Sequence, residues 1–423
     1  MNPLQLPLAT LVVTIFIAGS TFAADTSWPQ WRGPTRDGQF TGPTWPAKLD
    51  TNHLGQVWRV ELGPSYSGPI VAGDRVFTTE SKGKKFETVL ALDRKTGKEL
   101  WRVQWEGAMT VPFFAKSNGD WIRSTPALDG VRLYVAGMRD VLVCLDTATG
   151  AERWRKDFVK ELGTALPDFG FVCSPLVEGD AVYVQAGGSL AKLDKLTGKI
   201  LWQAMQDKGG MMGSAFSSPM FATLAGKKQL VVQTREKLAG VDPADGKVLW
   251  EQPIEAFRGM NILTPVADKD MLFTSAYGGK TIGFKIAQAD GKFTVTEAWR
   301  HKAQGYMSTP VVIDGVAYTH LKSQRVMAIE VATGRELWTS EQSFGKYMNL
   351  VAQGDRILAL DQGGKLFLFR ANREKFDLLD QRKLTSAETW AHLAVAGDEL
   401  FVRELNALVA YRWSESSKSG TLK

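Results

Sequence analysis

Short apolar runs alternate with polar turns along almost the whole chain, and within the runs the alternation has a period of two, as in half-buried strands. One arrangement recurs at fixed spacing: an apolar run ends in an acidic residue, a turn with Gly follows, and a Trp stands eight residues after the acid. The copies are Asp93-Gly97-Trp101, Asp146-Gly150-Trp154, Asp194-Gly198-Trp202, Asp242-Gly246-Trp250 and Glu330-Gly334-Trp338, with a degenerate copy at Gly291 and Trp299. A run such as Val89-Leu90-Ala91-Leu92 reads as a strand. The acid accepts hydrogen bonds from amides of the turn, and Gly takes positive φ where the chain reverses. The Trp opens the returning strand. An isolated small sheet cannot bury so large a ring, so each Trp is expected to pack on the neighbouring repeat.

A second signal precedes each hairpin by about 20 residues: Ser or Thr, then Pro, an apolar pair and a polar turn. It stands at Thr125-Pro126, Ser174-Pro175, Ser218-Pro219, Thr264-Pro265 and Thr309-Pro310, with Gly68-Pro69 as a variant. Each unit is therefore four short strands. Six units carry both signals. Two weaker ones follow, over 349–369 and 390–413, with turns at Gly354-Asp355 and Gly397-Asp398. The last unit lacks a final strand, and the segment Leu54 to Arg59, with Trp58, reads as a returning strand with no hairpin before it. The expected fold is all-β, an eight-bladed β-propeller of four-stranded antiparallel blades, its ring closed by that N-terminal strand. The chain after residue 23, divided by eight, gives about 50 residues per blade, the size such repeats have.

The acid-x-x-Thr-Gly-x-x-x-Trp repeats resemble those of the quinoprotein alcohol dehydrogenase-like superfamily, also called PQQ-like propellers. The segment Trp28-Pro29-Gln30-Trp31-Arg32-Gly33-Pro34 is similar to the start of many exported propellers of that kind. The resemblance covers nearly all of the chain after residue 23. It implies the fold. For function it implies two different things, because the superfamily holds both dehydrogenases that use pyrroloquinoline quinone (PQQ) and non-enzymatic scaffolds such as BamB.

Leu4 to Ile17 is mostly apolar, no charged side chain precedes Asp25, and Thr21-Phe22-Ala23 has the small residues of a cleavage site. Residues 1–23 are read as a signal peptide, 24–413 as the propeller and 414–423 as a flexible tail. No Cys follows the apolar run to carry a lipid, and no later run is long enough to span a membrane. The expectation is a periplasmic or secreted monomer. The net charge of +6 is spread among acids without a basic stripe, which argues against nucleic acid. Cys144 and Cys173 read as two core thiols, in a compartment that also permits a disulfide.

The links between blades differ in length. Trp58 to Pro69 and Trp299 to Pro310 are 11 residues, whereas Trp101 to Pro126 is 25, Trp154 to Pro175 is 21 and Trp202 to Pro219 is 17. Long links on consecutive blades build up one side of one face, where binding sites of repeat proteins gather. These links are rich in aromatic residues and Met: Tyr66, Trp121, Phe169, Phe171, Met212, Met260, Tyr306, Met307, Tyr347 and Trp390. Among them stand Arg123, Asp168, Arg258, Asn261, Lys346, Asn349 and His392. An apolar mouth with a few polar groups suits a ligand or a peptide; the same side chains also suit a simple channel plug.

Two functions follow. The first is an exported scaffold that holds a protein, peptide or glycan at the channel mouth, resembling BamB. The second is a PQQ- and Ca²⁺-dependent dehydrogenase of an alcohol or sugar. What the resemblance implies for an enzyme is a Ca²⁺ site of acid and Asn, and an Asp as base. Asn261, Asn349, Asp168 and Glu388 are the available oxygen ligands, and Asp168 is the candidate base. None aligns with a catalytic motif, and the adjacent cysteine pair of the family's enzymes is missing. Other chemistries fare worse. The four histidines have no metal spacing, Gly-x-Ser-x-Gly is absent, and Gly278-Gly279-Lys280-Thr281 lacks the first Gly of a phosphate loop.

Overall fold

The computed structural model describes residues 27–207 and 213–414. Its strands form eight separate four-stranded antiparallel sheets. Seven are meanders in chain order, over residues 70–106, 127–157, 176–204, 220–253, 266–301, 311–339 and 348–383, and are numbered blades 1 to 7. The eighth combines Ala394–Ala396, Glu399–Glu404 and Ala407–Trp413 with Leu54–Glu61, which pairs antiparallel with Ala407–Trp413. The ring closes as the lone N-terminal strand predicted, and the two blades with the weakest sequence signals are complete. The expected signal peptide and C-terminal tail lie outside the described residues, apart from Ser414. Among the described residues no helix is long and apolar enough to cross a membrane.

First strands of neighbouring blades lie side by side around the axis, so the first strand is the innermost. The hairpins joining strands one to two and three to four share one face, called here the turn face. The hairpins joining strands two to three, and the links between blades, share the opposite link face.

The repeat residues make the seams between blades. Asp146 Oδ1 accepts from the amides of Ala148 and Thr149 at 2.9 and 3.0 Å and from the Thr149 hydroxyl at 3.0 Å. Asp93 and Asp194 bind Thr96 and Thr197 in the same way. The turn so fixed is the receptor for the previous blade's Trp. Trp58, Trp101, Trp154, Trp202, Trp299 and Trp338 each donate Nε1–H to a carbonyl of the next blade's third hairpin, at 2.8–3.4 Å. The indole lies flat over the turn's Gly. At Gly150, φ is +75° and a Cβ would come within 2.7 Å of the Trp101 ring, so conformation and space both demand Gly. Gly97, Gly198, Gly246 and Gly334 receive Trp58, Trp154, Trp202 and Trp299 likewise.

Trp250 departs from the expectation. It donates to Gln229 Oε1 of its own blade at 2.7 Å. The reason lies in blade 5, whose outer strands, Thr281–Ala289 and Lys292–His301, run on to a tip at Asp290-Gly291 and leave no acid-x-x-Thr-Gly turn to receive it.

Candidate binding site at the channel

The innermost strands leave one edge unpaired toward the axis, and a buried backbone edge needs partners. At the link-face end of these strands the Ser/Thr-Pro signal supplies them. Gly68 N donates to Thr125 Oγ1, Thr125 N to Ser174 Oγ, Ser174 N to Ser218 Oγ, Ser218 N to Thr264 Oγ1 and Thr264 N to Thr309 Oγ1, all at 2.9–3.2 Å. A belt of hydroxyl-to-amide bonds thus runs from blade 1 to blade 6. Asn349 takes the position in blade 7: its Oδ1 accepts from Leu393 N at 3.3 Å and its Nδ2 donates to Leu360 O and Ala391 O. His392 takes it in blade 8. Sequence reasoning saw Ser/Thr-Pro only as the start of a strand.

On the turn-face side, the segment before the first strand crosses the channel. Trp28 forms an antiparallel bridge with Val71 of blade 1, Leu128 N of blade 2 donates to Pro29 O, and Gln39 bridges to Ala352 of blade 7. Between these anchors Arg32 and Arg36 turn into the channel. Arg32 is 0% exposed and donates to Thr309 O and Pro310 O of blade 6 at 2.7 and 2.6 Å. Arg36 is 3% exposed and donates to Pro175 O and Ser174 O of blade 3 at 2.6 and 3.1 Å. Burial pushes the two guanidinium groups down to about 10 and about 9. Trp31 packs against both, with the guanidinium carbons 5.6 and 5.3 Å from its ring centre and the His392 ring centre 6.0 Å away in an edge-on contact. Beside this plug, on the side of blades 4 to 6, a cavity of about 700 Å³ opens on the turn face, lined among others by Arg36, Met220, Val266 and Val312.

The link face is lined differently. Two residues before each belt position stands one side chain per blade: Tyr66, Arg123, Val172, Phe216, Ile262, Met307, Tyr347 and Trp390. They include an aromatic arc. Tyr347 stacks on Trp390 at 5.7 Å, Trp390 meets Tyr66 at 5.9 Å, and Tyr66 meets Trp121 edge-on at 5.2 Å. Arg123 lies 5.4 Å over Tyr66 and donates to Gly119 O; burial lowers its guanidinium pKa. Burial also pushes Tyr66 and Tyr347 up to about 12, so both remain neutral phenols. Across the mouth Tyr306 packs on Tyr277 at 5.3 Å. Above them two links meet: Arg258 sits 5.5 Å over Phe114 and 5.0 Å over Phe257. Phe113, Phe114 and Phe257 are 84%, 48% and 53% exposed. Sequence reasoning passed over these three; for Phe113 and Phe114 the signal was present as consecutive aromatics in the longest link.

Other candidates fall elsewhere. Phe171 is core, packed on Phe158 of the short helix Phe158–Leu162 and beside Cys173, because the long link folds back onto the seam of blades 2 and 3. Phe169 is buried against Phe216. Asp168, Met260 and Met307 are half-buried on their links, Lys346 is exposed, and Met212 lies outside the described residues. Cys144 and Cys173 are separate buried thiols.

The residues fit the quinone enzyme only in part. Asn349 spends both amide atoms on the belt, whereas Asn261 donates Nδ2 to Thr234 O and Arg235 O and its buried Oδ1 has no partner among the described residues. Among the described residues no three His, Cys, Asp or Glu side chains form a metal cage. The channel axis is filled by Trp31, Arg32 and Arg36.

The proteins similar to this chain include both outer membrane protein assembly factors and dehydrogenases. BamB of Yersinia pestis is 23% identical over 357 residues, covering 81% of this chain and 76% of that protein. The crystal structure of BamB from Moraxella catarrhalis superposes with a TM-score of 0.62 at 17% identity, over 88% of this chain and 99% of that one. The quinohemoprotein alcohol dehydrogenase of Comamonas testosteroni shares the fold with a TM-score of 0.54 at 13% identity, over 96% of this chain and 83% of that one. At these identities the two structures speak to fold alone. A family profile matches residues 47–108 and 85–340, well over half of the chain, and the chain therefore belongs to the PQQ-like propeller family described as outer membrane protein assembly factor BamB.

Proposed function

We propose that this propeller is an exported scaffold that holds a protein partner, through an extended or peptide-like segment, against the aromatic link face. The observation that carries the reading is the pairing of an arc of stacked aromatics, Tyr347-Trp390-Tyr66-Trp121, with three exposed phenylalanines on the links above it. Monomeric proteins seldom leave such rings in water without a use, and aromatic side chains carry most of the binding energy at interfaces. Family membership supports the same reading, since the relatives are named for assembly of other proteins. Export follows the signal peptide, with cleavage after Ala23 and a monomer in the periplasm or beyond the cell.

A photo-crosslinking residue placed at Phe113 in the cell tests this. The expected result is a discrete protein adduct that disappears when Trp390 and Tyr347 are changed to Ala, while the same crosslinker at Leu201, on the outer strand of blade 3, gives none. Equal labelling from both positions, or an adduct indifferent to Trp390 and Tyr347, would sink the reading. A glycan-only adduct would replace protein by carbohydrate as the partner.

A further inference from the structure

Among the described residues neither Arg32 nor Arg36, both buried in the channel, forms an ion pair with a carboxylate. The Arg32 charge acts against that of Arg36, and the exposed Asp37 acts in favour of Arg32. Elsewhere in the same molecule the rule for buried cations is kept. Arg403 is just as buried and just as fully bonded to carbonyls, and it has Glu80 and Glu404 beside it. A buried cation without a counter-charge is costly, and proteins pair it or supply an ion.

The donors are also incompletely used. Arg36 Nε is buried without a partner, as is Arg403 Nε, and of the four other N–H groups of its guanidinium Arg36 spends three, on Gln30, Ser174 and Pro175. His392 adds a complementary vacancy. Its Nδ1 faces Leu393 O at 3.0 Å, so Nδ1 carries the proton and Nε2 is a bare acceptor, 6% exposed as a residue and likewise unpartnered. His392 and both guanidinium groups surround the half-buried Trp31.

We infer that the channel floor around Trp31 binds an oxyanion that carries its own O–H, a hydrogen phosphate or a singly protonated phosphomonoester, with Arg36 Nε donating to its charged oxygens beside the Arg32 charge and its O–H donating to His392 Nε2. The two orphan atoms ask for different things. Arg36 wants an acceptor with negative charge, and His392 wants a donor. A protonated phosphate offers both on one group; chloride or sulfate offers only the first. Charge-assisted bonds to arginine in a water-poor site are strong, and a site built to accept an O–H discriminates sharply against an analogue without one. The inference stands apart from the scaffold reading, since its probe is a small anion and no partner is present.

The experiment is calorimetric titration of the purified protein with sodium phosphate, and separately with sodium sulfate, in a zwitterionic buffer. Expected is one saturable phosphate site, with sulfate weaker by at least about tenfold. Arg36→Gln is expected to abolish binding, and Arg36→Lys, which keeps the charge, to weaken it. His392→Leu should keep oxyanion binding and erase the preference for phosphate over sulfate. Glycerol phosphate binding as tightly as phosphate assigns the site to a phosphoryl group on a larger ligand; its exclusion assigns it to the free anion, and both outcomes uphold the site. Absence of saturable phosphate binding, equal affinity for sulfate in the unaltered protein, or binding untouched by both Arg36 variants overturns the inference.

Discussion

At the turn face the channel ends on Trp31, Arg32 and Arg36; at the link face it opens between Tyr347, Trp390, Tyr66 and Trp121. Both linings cover the same eight inner strands, and they do it by opposite means. The turn-face segment pairs its backbone with Val71, Leu128 and Ala352 and sends two guanidinium groups to carbonyls of blades 3 and 6. Nothing there is left for a large partner except the cavity beside blades 4 to 6. The link face has already satisfied its backbone through the hydroxyl belt, so its side chains are free to be apolar and exposed. The difference separates a surface spent on holding the ring together from one whose side chains are left over, the surface proposed above for binding. Stability and recognition should therefore respond to different substitutions.

The largest effect on stability is expected from Arg32→Met. The change is similar in bulk, but it removes donors to Thr309, Pro310, Asp37 and Arg36 carbonyls and leaves buried acceptors unpaired. Orphaning buried acceptors costs about 1–3 kcal/mol each before relaxation, so a loss of about 3 kcal/mol in urea unfolding is the expectation. A loss under about 0.5 kcal/mol would mean that the plug is an ornament of the ring and would erase the contrast between the two faces.

Acidity separates the faces next. The turn face holds its carboxylates ionised: Arg153, then Thr149, pull Asp146 down to about 2, and Arg335, then Thr333, do the same for Glu330. Their contribution is present above about pH 4 and is lost as pH falls through the folded values. The link face does the reverse. Glu87 accepts from Met138 N across the seam at 2.7 Å and from Trp105 Nε1 at 2.9 Å, and burial pushes it up to about 7. Asp140 accepts from Gly187 N at 2.9 Å, and burial pushes it up to about 6. A carboxyl raised on folding binds its proton more tightly in the native chain. Its contribution is full below the unfolded value near 4.5 and declines as pH rises toward 7. Glu87→Gln should remove that decline. The difference in stability between variant and parent should move in the variant's favour by about 2 kcal/mol between pH 4.5 and pH 7.5. Taking the difference cancels the opposite slope of His320 and His392, which burial pushes down to about 4 and about 3. A pH-independent difference would place the Glu87 proton elsewhere.

How much of this was legible beforehand depends on how far apart the partners are. The ring was readable because each turn and each Trp repeats its chemistry locally, down to the closing strand with Trp58. The belt was half readable. Ser and Thr before Pro recur openly, but each hydroxyl serves an amide one blade away, and Asn349 and His392 fill the same position without the signature. The plug was not readable. Its arginines bind backbone carbonyls, which no residue type marks, and Arg32 reaches one 277 residues away. Phe171 misled for the converse reason: its place in a long link says nothing about which side of the link faces the helix at Phe158.

The smallest expected effect on stability is also the sharpest test of the comparison. Changing Phe113 and Phe114 together to Ser touches one ring that stands largely in water and one that is half exposed, so the unfolding free energy in urea should move by no more than about 0.5 kcal/mol. Partner binding should behave otherwise. These rings and Phe257, bridged by Arg258, form the outermost part of the aromatic surface, and removing two anchors of that size from an interface weakens binding by about tenfold or more. Measured side by side with Arg32→Met, the pair should cross over: one variant unstable with its link face intact, the other stable and poor at capture. If the Phe variant loses stability as well, the two links are packed as one structural unit and the exposed rings belong to the fold. If it loses neither, the partner surface lies deeper, on Trp390 and Tyr66, and the link tips only border it.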